Sequence, residues 1–367
     1  MKKILIMAGG TGGHIFPALT IADQCYVQGV AVFWLGSKGG MEESLVKPHY
    51  HLHTIHITGV RGNGKLRLLL APFALLRSVL VCIKILRKIS PDVVLGMGGF
   101  ASGPGGIAAS ILKIPLVIHE QNAIPGMTNK WLSYIASDVL QAFCGSFPSK
   151  RNAKLVGNPV RSDILSLPGP GDRYSHRDGA CRILVIGGSR GAHVINKLML
   201  GVVASWSLDV SPIIWHQTGE NDFVEVSNKY DEISPASTVE SFISNMALAY
   251  EWADIVVARA GALTIFELSA VGVASILIPY PYAVDDHQTL NAKSLEDAGG
   301  AIVLQQQALT VDILKKHLQD LCGNREKMIT MATHAESIGD MSSRGKIIVA
   351  CENAAKGRKG KGDVVVG

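Results

Sequence analysis

The sequence predicts an α/β protein built from two doubly wound parallel-sheet domains, and three observations predict it. The stretch ILIMAGGTGGH at 4–14, an apolar strand running into small residues and a His, returns in the same register as ILVIGGSRGAH at 183–193. Runs of Val, Ile and Leu without polar alternation are separated by segments of helix length, the pattern of parallel strands covered on both faces. A chain of 367 residues is also too long for one core, because single cores stop growing at about 250–300 residues.

Taken in order, residues 1–162 form the first domain, with strands at 4–8, 30–35 (VAVFWL), 92–95 (DVVL) and 115–118 (PLVI). Met1-Lys2-Lys3 before an apolar run imitates a secretory leader, but the run stops at Gly9-Gly10 and reads as a buried first strand. The Pro/Gly/charged stretch LPGPGDRYSHRDGA (167–180) marks a linker over 163–181. The second domain, 182–340, repeats the plan with strands at 182–186, 213–215, 255–258 and 275–279. Residues 341–367 read as a C-terminal helix ending in a loose basic tail, KGRKGKGDVVVG.

Composition narrows the function classes. The net charge of +5 is mild and the basic residues are dispersed, so no nucleic-acid footprint is present. Cysteines at 25, 82, 144, 181, 322 and 351 show no Cys-x-x-Cys spacing, which supports neither a disulfide framework nor a zinc site. No Asp-x-Asp metal motif stands out, since Asp285 and Asp286 are adjacent. No obligatory cofactor or metal is expected, with divalent cations at most stimulatory.

The glycine loops carry the chemistry. A Gly-rich turn between a strand and a helix lets backbone N–H groups approach an anion at the positive end of the helix dipole. A dinucleotide site fits poorly, because Gly10-x-Gly12-x-x-Ile15 lacks the third Gly and the second strand ends in Leu35-Gly36-Ser37 with no acid for a ribose. Neither loop has the Gly-Lys-Ser/Thr ending of a nucleotide-hydrolase loop. A third loop, GMGGFASGPGG (96–106), leaves too little side chain for packing and reads as backbone exposed to a ligand. The plain alternative for any one of them is tight helix–sheet packing.

Two further clusters sit at strand ends. HEQNAIPG (119–126) groups His119, Glu120, Gln121 and Asn122, and RAGALTIFE (259–267) places Arg259 and Glu267 around a small-residue turn. Thr264 and Glu267, three apart, could instead form a helix capping box.

The motifs GGTGGHIFPA, GGFASGPGG, HEQNAIPGMTNKWL, GNPVR, GGSRGA and RAGALTIFELSAVG…DDHQTLNA, in this order from residue 9 to 292, resemble the MurG family of family-28 glycosyltransferases. Members transfer N-acetylglucosamine (GlcNAc) from UDP-GlcNAc to undecaprenyl-diphospho-muramoylpentapeptide in peptidoglycan synthesis. The resemblance implies the GT-B fold, two Rossmann-like domains facing across a cleft. It implies diphosphate contacts from Ser189 and Arg161, and a uracil contact from the Ile243 backbone. Ala262, Leu263, Thr264, Ile265, Phe266 and Glu267 would line the donor, with Glu267 on the ribose, while Gln288 and Asn291 would hold the GlcNAc. Thr11, Gly12, Gly13 and Asn122 would reach the donor sugar from the other domain. The first loop and Gly98, Gly99, Ser102 and Gly103 of the third would cradle the acceptor diphosphate. His14 is the leading general base for the acceptor hydroxyl and Glu120 the runner-up; a helix-cap or structural role is the plain alternative for His14. Phe266 and Phe100 depart from the family, which often has a small polar residue and a Tyr there.

The stretch KLRLLLAPFALLRSVLVCIKILRKI (65–89) mixes Leu/Ile/Val with six cations and is interrupted by Pro72 and Arg77. It cannot span a bilayer but can lie in its surface. The plain alternative is a helix covering the sheet. The expected setting is peripheral, on the cytoplasmic face of the bacterial membrane, with UDP-GlcNAc, a polyprenyl-linked acceptor and other cell-wall enzymes as partners. Competing readings are a UDP-GlcNAc 2-epimerase of similar fold and a non-catalytic UDP-GlcNAc sensor at the membrane.

Overall fold

The computed structural model describes residues 1–57, 65–188, 191–234 and 236–362. Two compact units divide the chain: residues 1–159 together with the segment from 342 onward, and residues 160–341.

The first unit is built on β1 (Lys3–Met7), β2 (Ala31–Ser37), β3 (His51–Ile55), β4 (Val93–Gly96), β5 (Leu116–Glu120), β6 (Asp138–Gln141) and β7 (Lys154–Leu155). These pair in the order β3-β2-β1-β4-β5-β6-β7, all parallel. Along β1, Ile4 and Ile6 enter one apolar cluster and Leu5 and Met7 the other, so both faces are covered and the run cannot alternate with polar residues.

The second unit uses β8 (Arg182–Ile186), β9 (Ile213–Gln217), β10 (Thr238–Glu240), β11 (Ile255–Ala258), β12 (Ala274–Leu277) and β13 (Ala301–Val303). Their order is β10-β9-β8-β11-β12-β13, again parallel. In both sheets the strand order reverses beside the first strand, at β1/β4 and at β8/β11. That is where open α/β sheets bind ligands, beyond the carboxyl ends of the strands.

Three expectations change. Residues 163–181 are not a free linker: helices Ser162–Leu165 and Pro170–Ser175 pack onto the second unit. Arg173, buried, donates to the Val271 and Gly272 carbonyls, and the Tyr174 hydroxyl donates to Asp254 O at 2.7 Å. Pro170 and Gly171 open a helix instead of a linker, and two anchoring side chains cannot be weighed from composition. The C-terminal helix, Ser343–Gly362, runs into the stretch expected to be loose, and it packs on the first unit, with Ile347, Ile348 and Cys351 in the cluster that holds Ile4 and Ile6. Short or polar strands escaped the apolar-run criterion, among them β3 (HLHTI) and β6 (DVLQ).

Candidate functional site

In the first unit, the loop after β1 leads into helix Gly12–Val27, whose N-cap Thr11 makes no side-chain cap hydrogen bond and whose first turn carries no acid. The loop after β4 turns through left-handed Gly98 (φ 104°) and Gly99 (φ 88°) into helix Ser102–Ile111. The two loops touch. A Cβ at Gly98 would lie 2.8 Å from the His14 ring, and one at Gly99 would collide with the Gly9 carbonyl. Glycine is therefore required for this approach, not only for a ligand.

Behind the first loop lies a residue that the motif reading missed. Glu42 is fully buried, and its carboxylate accepts from Ser37 N at 2.5 Å and Gly10 N at 3.3 Å. Cβ atoms at Gly9, Gly36 or Gly40 would each run into this side chain, so three glycines form one slot for one carboxylate. The Gly10 amide is thereby committed inward, while at the start of the helix Thr11 and Gly13 are exposed and Gly12 is buried.

Around β5, His14 Nδ1 lies 3.0 Å from Gln121 Oε1, and Gln121 Nε2 is 3.1 Å from His119 Nδ1. His119 is fully buried with Nε2 2.9 Å from Gly157 O; burial pushes its pKa down to about 4, with the Gly157 hydrogen bond opposing. Glu120 is saturated. Its Oε1 accepts from Asn122 N (3.0 Å) and Asn122 Nδ2 (3.3 Å), and its Oε2 accepts from Gly126 N (3.0 Å) and Asn129 Nδ2 (2.9 Å). The runner-up base thus knits the 122–129 loop and holds Asn122 in place. Ser102, expected on the acceptor diphosphate, is fully buried and its hydroxyl is shared between Gly98 O (2.7 Å) and Met7 O (3.1 Å), so it shapes the third loop from within. Gly103 is half-buried in the first turn of helix Ser102–Ile111.

In the second unit, helix Ala262–Val271 starts at Gly261 with no side-chain cap. This removes the capping-box alternative, since Thr264 and Glu267 lie inside the helix. Glu267 is buried. Its Oε1 is 3.4 Å from Arg161 Nη2 and its Oε2 accepts from the Tyr250 hydroxyl at 2.9 Å. Burial raises the Glu267 pKa, while Arg161 and the Tyr250 hydrogen bond pull it back. Arg161 Nε is buried without a hydrogen-bond partner among the described residues, a donor awaiting an acceptor.

Leu263, Thr264 and Phe266 are partly exposed, whereas Ala262 and Ile265 are buried and can present only backbone. Ile243 is buried and its N–H already donates to Gln217 Oε1 at 3.2 Å; Gln217 Nε2 in turn donates to Gly188 O at 2.9 Å. Only the Ile243 carbonyl remains for a base. Asn291, expected beside the sugar, is fully buried and donates from Nδ2 to Ala260 O at 3.3 Å, bracing the turn before the helix. Gln288 is half-buried, with Oε1 accepting from Tyr280 N at 2.9 Å. Ser189 lies outside the described residues. Gln217 and Tyr250 were missed because each sits in an ordinary-looking strand or helix with no local motif. Among the described residues, no group of three or more His, Cys, Asp or Glu is placed to hold a metal.

Residues 4–141 match the glycosyltransferase family 28 N-terminal domain and residues 182–344 the C-terminal domain of that family. The UDP-N-acetylglucosamine–N-acetylmuramyl-(pentapeptide) pyrophosphoryl-undecaprenol N-acetylglucosamine transferase of Coxiella burnetii is 47% identical over 352 residues, spanning 96% of this chain and 98% of its own. Its namesake from Shewanella amazonensis is 49% identical over 358 residues, spanning 97% and 98%. The crystal structure of Acinetobacter baumannii MurG is similar with a TM-score of 0.82 at 38% identity, over 96% of this chain and 100% of that one.

Proposed function

The chain belongs to glycosyltransferase family 28 and has the GT-B fold, and from that premise we propose that it transfers GlcNAc from UDP-GlcNAc to the 4-hydroxyl of N-acetylmuramic acid in undecaprenyl-diphospho-MurNAc-pentapeptide. The observation that carries this is similarity along nearly the whole of both chains to enzymes of that one printed name.

The acceptor is assigned to the first unit and the donor to the second. On the acceptor side, the uncapped start of helix Gly12–Val27 offers backbone N–H groups to the lipid diphosphate. His14 takes the proton of the attacking hydroxyl as the C4 oxygen bonds to the anomeric carbon of GlcNAc. On the donor side, the bond from that carbon to UDP breaks, and the negative charge developing on the diphosphate meets Arg161 and the start of helix Ala262–Val271. Glu267 is offered to the ribose, since each of its oxygens keeps a second lone pair beside its bond to Arg161 or Tyr250. One displacement inverts the centre and gives a β-(1→4) link. These groups supply the positive potential from protein alone; activity retained after chelation with EDTA is the expected outcome.

Attachment to the membrane surface is assigned to helix Lys65–Ile89. From Pro72 onward, Val79, Cys82, Leu86 and Ile89 turn inward, while Phe73, Leu76 and Leu80 are exposed beside Arg77, Lys84 and Arg87. The helix thus covers the sheet with one face and presents an apolar, cation-flanked face with the other. Among the described residues no helix is long and apolar enough to cross a membrane.

The deciding experiment measures UDP release from UDP-GlcNAc with and without a polyprenyl-diphospho-MurNAc-pentapeptide acceptor, following the product by mass. Acceptor-dependent release with one added GlcNAc supports the assignment. UDP formed without acceptor, together with N-acetylmannosamine, overturns it in favour of an epimerase.

A further inference from the structure

We propose that Gln121 and His119 are positioning residues that hold His14 in its Nδ1–H tautomer and leave Nε2 as the basic atom. This rests on the assignment of His14 as the proton acceptor.

The deduction starts from an atom with only one possible role. Gly157 O can only accept, so His119 Nε2, 2.9 Å away, carries a hydrogen. Burial keeps His119 neutral near pH 7, so its Nδ1 is bare. The side-chain amide of Gln121 meets two acceptors at one end, His119 Nδ1 at 3.1 Å and His119 O at 3.3 Å, and that end must therefore be the NH2 group. The opposite end, Oε1, can then only accept from His14 Nδ1 at 3.0 Å. A neutral imidazole carries one ring hydrogen, so Nε2 of His14 has the lone pair.

The surroundings leave little room for another arrangement. Gln121 is buried, and its backbone carbonyl accepts from Nδ2 of the fully buried Asn158 at 3.0 Å. Gly98 packs against the His14 ring so closely that any Cβ there would be 2.8 Å from Nδ1. An amide also orients the ring without adding a negative charge beside it.

The test uses the full chain labelled with 15N-histidine, read by two-bond 1H–15N correlation near pH 8, with the His14 signals identified by their loss in His14→Gln. A pyridine-type Nε2 and a pyrrole-type Nδ1 at His14 are expected. Gln121→Ala should replace that pattern with a tautomer average and lower kcat by about 10- to 100-fold, with the KM for UDP-GlcNAc within about twofold of the parent. A hydrogen on Nε2 of His14 in the unmodified protein overturns the inference whatever the activity, and needs no variant to fold. Unchanged kcat in a folded Gln121→Ala protein overturns it as well. Near-normal turnover in His14→Gln instead overturns the assignment of His14 as base, which the tautomer measurement reports separately.

Discussion

Arg161 and Glu267 form a partly buried ion pair, Nη2 to Oε1 at 3.4 Å, in which the Tyr250 hydroxyl holds the other carboxylate oxygen and Arg161 Nε has no partner among the described residues. Removing one member of such a pair leaves an uncompensated buried charge, which costs more than the pair itself contributes.

Arg161→Met should therefore raise the KM for UDP-GlcNAc about tenfold or more through the lost charged hydrogen bonds, and should also destabilise the fold. Adding Glu267→Gln should recover stability but not donor affinity. Steady-state kinetics with thermal melts of the single and double variants check this; a double variant less stable than Arg161→Met contradicts it.

Glu120 accepts four hydrogen bonds within its own loop. Replacing it by Gln turns an acceptor into a donor facing donors, at a cost of about 1–3 kcal/mol. A fall in melting temperature is expected. An unchanged melt with kcat lowered more than a hundredfold would restore Glu120 as a base.

The slot around Glu42 predicts strong coupling. Gly36→Ala alone puts a Cβ 2.5 Å from Glu42 Cγ, and a Glu42→Ala background removes the three atoms nearest to that Cβ. A double-mutant cycle on unfolding should give an interaction of about 1–3 kcal/mol; additive effects would show that the slot imposes no such constraint.

Stability should fall on mild acidification. The pKa values of His119 and His216 are pushed down to about 4 and about 3 by burial. Above the ordinary value near 6.5 both folded and unfolded chains hold these rings neutral, so stability is fully present. Below it the unfolded chain takes up protons that the folded one refuses, and stability is lost as pH falls toward 4, on the order of 3 kcal/mol from His119. Urea midpoints at pH 7.5 and 5.0 test the sign; equal midpoints contradict it.

Phe73→Asp with Leu76→Asp and Leu80→Asp, three exposed positions, should weaken sedimentation with phosphatidylglycerol vesicles by about tenfold or more while UDP-GlcNAc binding is unchanged. Equal binding by parent and variant would remove helix Lys65–Ile89 from the membrane contact.

The periodicity of the apolar runs was enough to read the central strands of the two sheets but not their edges, because strands such as β1 and β8 are buried on both faces and must be apolar throughout. The glycine loops were equally legible, since left-handed or closely packed backbone leaves few alternatives to Gly. Less legible was which groups face a ligand. Ser102, Asn291 and the Ile243 amide have suitable chemistry in suitable motifs, yet each is already engaged within its own unit.

What the sequence by itself determined is the fold class, the family and the neighbourhood of the chemistry, because these follow from periodicity, glycine spacing and motif order along the chain. Only the tertiary structure decided which of these side chains meet. Whether Glu120 is a base or a brace, and which nitrogen of His14 is free, depends on which donors reach which acceptors: Gly157 with His119, Asn129 with Glu120, Gln121 with His14. Residues up to 107 positions apart meet in those bonds, and a hydrogen bond over such a separation, unlike periodicity, leaves no trace in local sequence.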